Sequence, residues 1–247
     1  MKTSQEWFNY FKLNLQQERI DWSQLPKITL QERAAIVKSL QAWQLGETSD
    51  GKNLIRAASK YADKINDPFY VKSIELFIKE EQKHGNNLGK YLDAICAKRI
   101  KKNWGDTLFR KARHFNTSME LWTLPVITVE SAAQVFYQAL KDATECNLLK
   151  QICTDILIDE AAHIQFQQER MAAIYRMKGR ASRFCSYYCY KYFYFTTSLV
   201  VWMAHKKLFK AGNVDFTKYR KKMGYKFEKT IGKLRYETKE YYSFQTC

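Results

Sequence analysis

The sequence predicts an all-α protein, and three observations carry the prediction. Apolar residues recur at helical spacing over long segments. Gly (9) and Pro (3) are scarce in 247 residues, and 46% of the chain is hydrophobic, enough for a sizeable core. Two acid-Glu-x-x-His stretches, Glu80-Glu81…His84 and Asp159-Glu160…His163, sit inside such segments.

Each element can be justified in order. Residues 1–28 read as an irregular arm with a short helix. Thr29 followed by Glu32 is a capping box, starting a helix expected over 30–65. Inside that helix Gly46 and Gly51 flank Glu47 and the polar run Thr48-Ser49-Asp50. Such a break in helix propensity often marks a functional site. Asp67 and Pro68 supply a cap and a first helical residue for the helix over 68–98. A basic turn is expected at 100–106 and a helix at 107–124, broken or kinked by Pro125. Helices then follow over 127–144, 147–179, 184–210 and 214–233. The first and second halves of the 30–179 region are alike in plan.

The doubled motif carries the chemistry. Positions i and i+3 share a helix face, so Glu81 points with His84, and Glu160 with His163. Their neighbours on those faces, such as Phe77, Leu88 and Ile156, are apolar. Burying an unpaired carboxylate there is costly, so partners are expected. A metal is one; mixed carboxylate and imidazole ligands suit iron or manganese. Two further carboxylates follow from hairpin symmetry. Glu130 lies 30 residues before Glu160, and Glu47 lies 34 before Glu81. In each case the midpoint falls at or near a turn, placing the upstream Glu level with the motif it faces. The competing readings are two solvated helix faces with incidental histidines, or a bundle that no longer holds metal.

Over roughly 30–178 this pattern resembles the ferritin-like di-iron carboxylate superfamily, with its ribonucleotide reductase small subunit-like four-helix bundle. The resemblance implies a ferritin-like bundle at 29–180, an N-terminal arm at 1–28 and a basic, aromatic C-terminal helical extension at 181–247. It implies two iron ions, Fe/Fe or alternatively Mn/Fe, held by Glu47, Glu81, His84, Glu130, Glu160 and His163. Glu81 and Glu160 would bridge. Asp159 would orient His84, and Glu80 would orient His163. Tyr137, two turns after Glu130, is a redox or proton-relay candidate whose competing reading is a core tyrosine. Cys153 and Trp43 read as packing. Leu88 stands where reductase subunits carry a radical tyrosine, and Gln134 where multicomponent monooxygenases carry a threonine. A stand-alone bacterial member is therefore expected. The implied function is a di-iron oxidoreductase activating O₂ for oxidation of a small or lipid-like substrate, with an electron donor. Alternatives are an iron-handling ferroxidase or a non-catalytic membrane- or partner-binding protein.

Charge divides the chain. Residues 1–169 hold 23 basic and 21 acidic residues; residues 170–247 hold 18 and 4. The segment 184–204 carries one charge, Lys191, and reads as a packed fifth helix, an interfacial helix or a membrane span. A homodimer and an anionic membrane surface are candidate partners; nucleic acid is disfavoured, since no groove-reading motif is present. The opening residues show no export signal. The six cysteines form no C-x-x-C pair, so reduced thiols and a cytoplasmic location, peripheral at the inner membrane surface, are expected.

Overall fold

The structure is a computed structural model that describes residues 1–105, 107 and 118–234. Its helices are α1 (Ser4–Asn14), α2 (Leu30–Glu47), α3 (Lys52–Ile65), α4 (Pro68–Ala94), α5 (Met119–Asp142), α6 (Asn147–Arg176), α7 (Arg180–Ala211) and α8 (Phe216–Phe227). A π-helical turn, Glu228–Gly232, follows. No strand occurs among the described residues.

The caps follow the sequence. Thr29 Oγ1 accepts from the Glu32 amide and Glu32 Oε2 accepts from the Thr29 amide, at 3.2 and 2.7 Å. A second capping box, Thr3 with Glu6, starts α1. Asp67 caps α4 ahead of Pro68. The helix expected over 30–65 is two helices. Glu47 is the last residue of α2, and the chain turns through Gly51, whose φ of 65° is left-handed. A Cβ at Gly51 would meet Ile78 Cδ1 at 2.4 Å, so only glycine lets the turn lie on α4. Pro125 does not break its run; it sits inside α5, which continues through it. The part of the preceding helix expected over 108–117 lies outside the described residues. Cys96, in left-handed conformation, ends the turn after α4.

Helices α2, α4, α5 and α6 form the bundle. α2 and α3 pack on α4, α5 packs on α6, and α4 meets α6 across the centre. α1 lies on α4, burying Trp7 and Phe11 completely. α7 crosses α5 and α2, turning Tyr187, Tyr190, Tyr194, Ser198 and Trp202 inward. These three tyrosines and Trp202 join the same apolar core as Leu40, Leu92, Phe136 and Ile152. A core-packed face therefore exists on the fifth helix, and no described helix is long and apolar enough to cross a membrane. The five described cysteines are free thiols.

Candidate metal centre

The six side chains singled out from the sequence converge between α2, α4, α5 and α6. Ligand-type atoms of Glu81, Glu130, Glu160 and His163 lie within 4.8 Å of one another, and so do those of Glu47, Glu81 and His84. Glu81 belongs to both groups. His84, Glu160 and His163 are fully buried, and Glu47 and Glu130 are nearly so. Helical geometry delivers each motif pair to one face, while the end of α2 delivers Glu47. Close approach of α2 to α4 needs Gly85, next to His84. A Cβ there would lie 3.1 Å from Glu47 Cβ.

The two acids preceding the motif glutamates cross over. Asp159 Oδ2 lies 3.0 Å from His84 Nε2, and Glu80 Oε2 lies 2.7 Å from His163 Nε2. Each Nε2–H thus donates to a carboxylate, which leaves the lone pair on Nδ1. Both Nδ1 atoms face the glutamates: His163 Nδ1 is 2.8 Å from Glu81 Oε1 and 3.7 Å from Glu160 Oε2, and His84 Nδ1 is 4.0 Å from Glu160 Oε1. None of these approaches makes a hydrogen bond. His84 Nδ1, His163 Nδ1, Glu81 Oε1 and both Glu160 oxygens are sealed from water and lack hydrogen-bond partners. Sealed polar atoms of one constellation, all aimed at a common centre, are costly unless a cation joins them. The donor set therefore fits a pair of metal ions bound through oxygen and imidazole nitrogen.

Titration behaviour follows from this crowding. Burial, then the charge of Glu81, pushes Glu47 well above the usual carboxylate range. Burial and Glu81 also raise Glu160. For Glu81 burial acts upward, but His163 and His84 outweigh it and bring the carboxyl down to about 2. Burial would lower His163, yet Glu81, Glu160 and Glu80 hold it well above an ordinary imidazole. His84 is raised too: burial is outweighed by its bond to Asp159 and the charges of Glu81 and Glu160. Asp159 is held well below its ordinary value, because His84 and Asn14 overcome its burial.

Tyr137 is fully buried and its hydroxyl donates to Glu47 Oε1 at 2.8 Å. Burial and the Glu47 charge push its phenol far up, so it stays protonated. Leu88 and Cys153 are buried core residues. Trp43 packs on Phe136 at a tilt, with ring centroids 4.5 Å apart, in the wall of a cavity. That cavity, about 660 Å³, is lined by Glu47, Glu81, Glu130 and Glu160 at one side. The rest is largely apolar, with Phe77, Ile78, Trp122, Val126 and the α7 residues Phe193 and Val200.

Sequence reasoning missed a clamp from the N-terminal arm. Asn14 Nδ2 donates to Glu80 Oε1 and to Asp159 Oδ1, each at 2.8 Å. Arg19 donates to the Asn14 side-chain oxygen, to Asp159 Oδ1 at 3.0 Å and to Asp155 Oδ1 at 2.7 Å. Lys83 lies 3.6 Å from Asp155 Oδ2. One amide thus ties together the two acids that orient the two histidines. A signal was present: Asp155 and Asp159 are four apart on an apolar helix, and such an acid pair needs a cation.

No protein-family model matches the chain, and no curated protein does so either. Solved structures do. An R2-like ligand-binding oxidase variant with a reconstituted Fe/Fe cofactor superposes with TM-score 0.70 at 18% identity, covering 94% of this chain and 93% of its own. The same kind of oxidase with a Mn/Fe cofactor gives TM-score 0.69 at 15% identity, covering 93% and 91%. One without metal cofactor gives 0.63 at 16% identity, covering 92% and 93%. At these identities the likeness establishes the fold: the chain is an R2-like, ferritin-like helical bundle along nearly its whole length.

Proposed function

We propose that the chain is a di-metal oxidoreductase that uses O₂ and an external electron donor to oxidise an apolar small molecule. The observation that carries this reading is the pair of ligand groups sharing Glu81 at the wall of an apolar cavity. His84 with Glu47 would hold one ion, His163 with Glu130 the other, and Glu81 and Glu160 would lie between them. Fe/Fe is the first choice and Mn/Fe the alternative; the mixed carboxylate and imidazole donors suit both. When bound, such a pair supplies electrons to O₂ and a strong oxidant.

The chain's own residues supply the rest. Asp159 and Glu80 fix the histidine tautomers and make Nδ1 the ligating atom. The Tyr137 hydroxyl holds Glu47 in place and is the nearest protonated group that could pass a proton at Oε1. The cavity brings a largely apolar wall up to the carboxylates and has the size of a small-ligand pocket. That apolar lining favours an organic substrate over iron handling, the second reading. Sealed, unpartnered ligand atoms weigh against a vestigial, metal-free scaffold.

The test has two parts. Purified protein loaded with ferrous ion should bind about two metals per chain. The loaded form should then consume O₂, and faster when apolar candidate substrates fill the cavity. Metal binding without O₂ uptake under any electron donor would leave a binding protein and remove the oxidase reading. Iron mineral formation beyond two ions per chain would favour the ferroxidase alternative.

A further inference from the structure

Between Glu169 and Asp215 the sequence holds no acidic residue, yet it holds nine Lys and Arg. This stretch is largely α7, a helix with three faces. One is the buried face already described. A second, with Phe193, Thr197 and Val200, lines the cavity. The third points outward and is apolar: Tyr188, Tyr192, Leu199 and Met203 keep 48, 76, 45 and 54% of their surface exposed. At 100° per residue these four fall within about 60° of one another on the helix. They form a stripe, not scattered exposures. Tyr192 belongs both to the stripe and to the cavity wall, so the cavity borders this face.

Lys191, Lys206, Lys207 and Lys210 are exposed and make no ion pair with a described residue. Lys206, Lys207 and Lys210 crowd the C-terminal end of the stripe, and the exposed Lys218, Arg220, Lys221 and Lys222 follow on α8.

We propose that the outward face of α7, with the lysines beside it, docks on an anionic phospholipid surface and sets the cavity's α7 side against the membrane. Charge complementarity selects this occupant. A second copy meeting this face through a two-fold axis would bring lysines against lysines. A nucleic acid would satisfy the lysines but leave Leu199 and Met203 against water. A lipid interface takes both: apolar side chains enter the acyl boundary, tyrosine hydroxyls stay at headgroup level, and lysines meet phosphates. The helix lies on the surface, since no described helix can cross it. Surface docking does not depend on the metal reading, and metal-free protein should bind equally; only its meaning, delivery of an apolar substrate, rests on that reading.

Co-sedimentation of the full chain tests it, with pure phosphatidylcholine vesicles against vesicles containing phosphatidylglycerol. Binding is expected only to the anionic vesicles and should weaken as salt rises. Reversal of Lys206, Lys207 and Lys210 to Glu should lower partitioning at least about fivefold per residue. Leu199→Glu with Met203→Glu should abolish it at low salt; both positions are exposed, and circular dichroism checks that the fold survives. Equal binding to both vesicle types, or unchanged binding by either variant, overturns the proposal. Displacement from vesicles by duplex DNA at lower concentration than by free lipid headgroup assigns the face to nucleic acid. A dimer in light scattering that the Leu199 and Met203 changes dissociate assigns it to a second copy.

Discussion

Replacing Asn14 with alanine should disturb the metal centre from outside it. The side chain makes no hydrogen bond to a candidate ligand among the described residues, yet it donates to both acids that bond the histidines. Among the described residues it is the only hydrogen-bond partner of Glu80 Oε1, whereas Asp159 Oδ1 keeps Arg19. Each lost bond to a charged acceptor costs about 1.5–3 kcal/mol. Since Arg19 retains one acid, a net loss of about 2–4 kcal/mol is expected. For a chain of this size that is a fall of roughly 5–15 °C in Tm. Metal affinity should drop by about 10–100-fold, because the His163 ring loses a fixed acceptor. Asn14→Asp is the sharper variant. It keeps the oxygen for Arg19 but sets a third carboxylate between two others, so it should be at least as damaging as alanine. The assays are thermal unfolding of metal-free protein and competition with a calibrated chelator. If Asn14→Asp matches wild type in both, the clamp is not what orients the histidines.

Four other outcomes can be checked together. His84→Ala and His163→Ala should each lower bound metal by about one ion per chain, measured by elemental analysis. Glu47→Gln and Glu130→Gln should weaken binding or O₂ reactivity, while Glu75→Gln should not. Gly85→Ala should displace Glu47, since its Cβ would stand 3.1 Å away, and should cost affinity mainly at the ion bound by Glu47 and His84. The pH dependence should differ in sign between forms. Without metal, the raised His84 and His163 give stability that is full below an unfolded imidazole value of about 6.5 and is lost as pH rises through their folded values. The depressed Asp159 gives stability that is present above about 3.9 and lost as pH falls through its folded value. Metal binding needs neutral histidines and ionised Glu47 and Glu160, so affinity should rise with pH, with protons released on loading. Calorimetry in buffers of different ionisation enthalpy measures that release; zero release would contradict the assignment.

Much of the bundle was legible because its signals are local. The Thr29–Glu32 capping box and the Asp67-Pro68 start depend on residues a few positions apart, and the structure shows them in place. The convergence of Glu130 with its motif was legible too, because antiparallel helices of equal rise preserve height across a turn, whereas Glu47 comes level with Glu81 across a break in the expected helix. Other features were not. The break after Glu47 looked like a weakness in one helix, since propensity alone does not tell a tolerated Gly from a left-handed turn. Pro125 was over-weighted for the same reason: tertiary packing around α5 overrides the local penalty. Asn14 and Arg19 carry no periodicity, and their role exists only once a distant helix brings Asp159 to them. The cavity was invisible, being a space between α7, α2 and α5 and not a property of any one segment.

Five of the six candidate ligands ride within uninterrupted helices, but Glu47 is the terminal residue of its own. Its anchor is thus a helix end, which also presents the negative pole of α2 to a buried carboxylate. Both facts make Glu47 the most easily displaced post and the one that gains most when a cation arrives. The two ions should consequently leave at different rates. Chelation should strip the Glu47–His84 ion in a fast phase and the other slowly, and tightening the Gly51 turn should close the gap between the phases. A single exponential for both ions would show that the helix end is as firm as the helices around it.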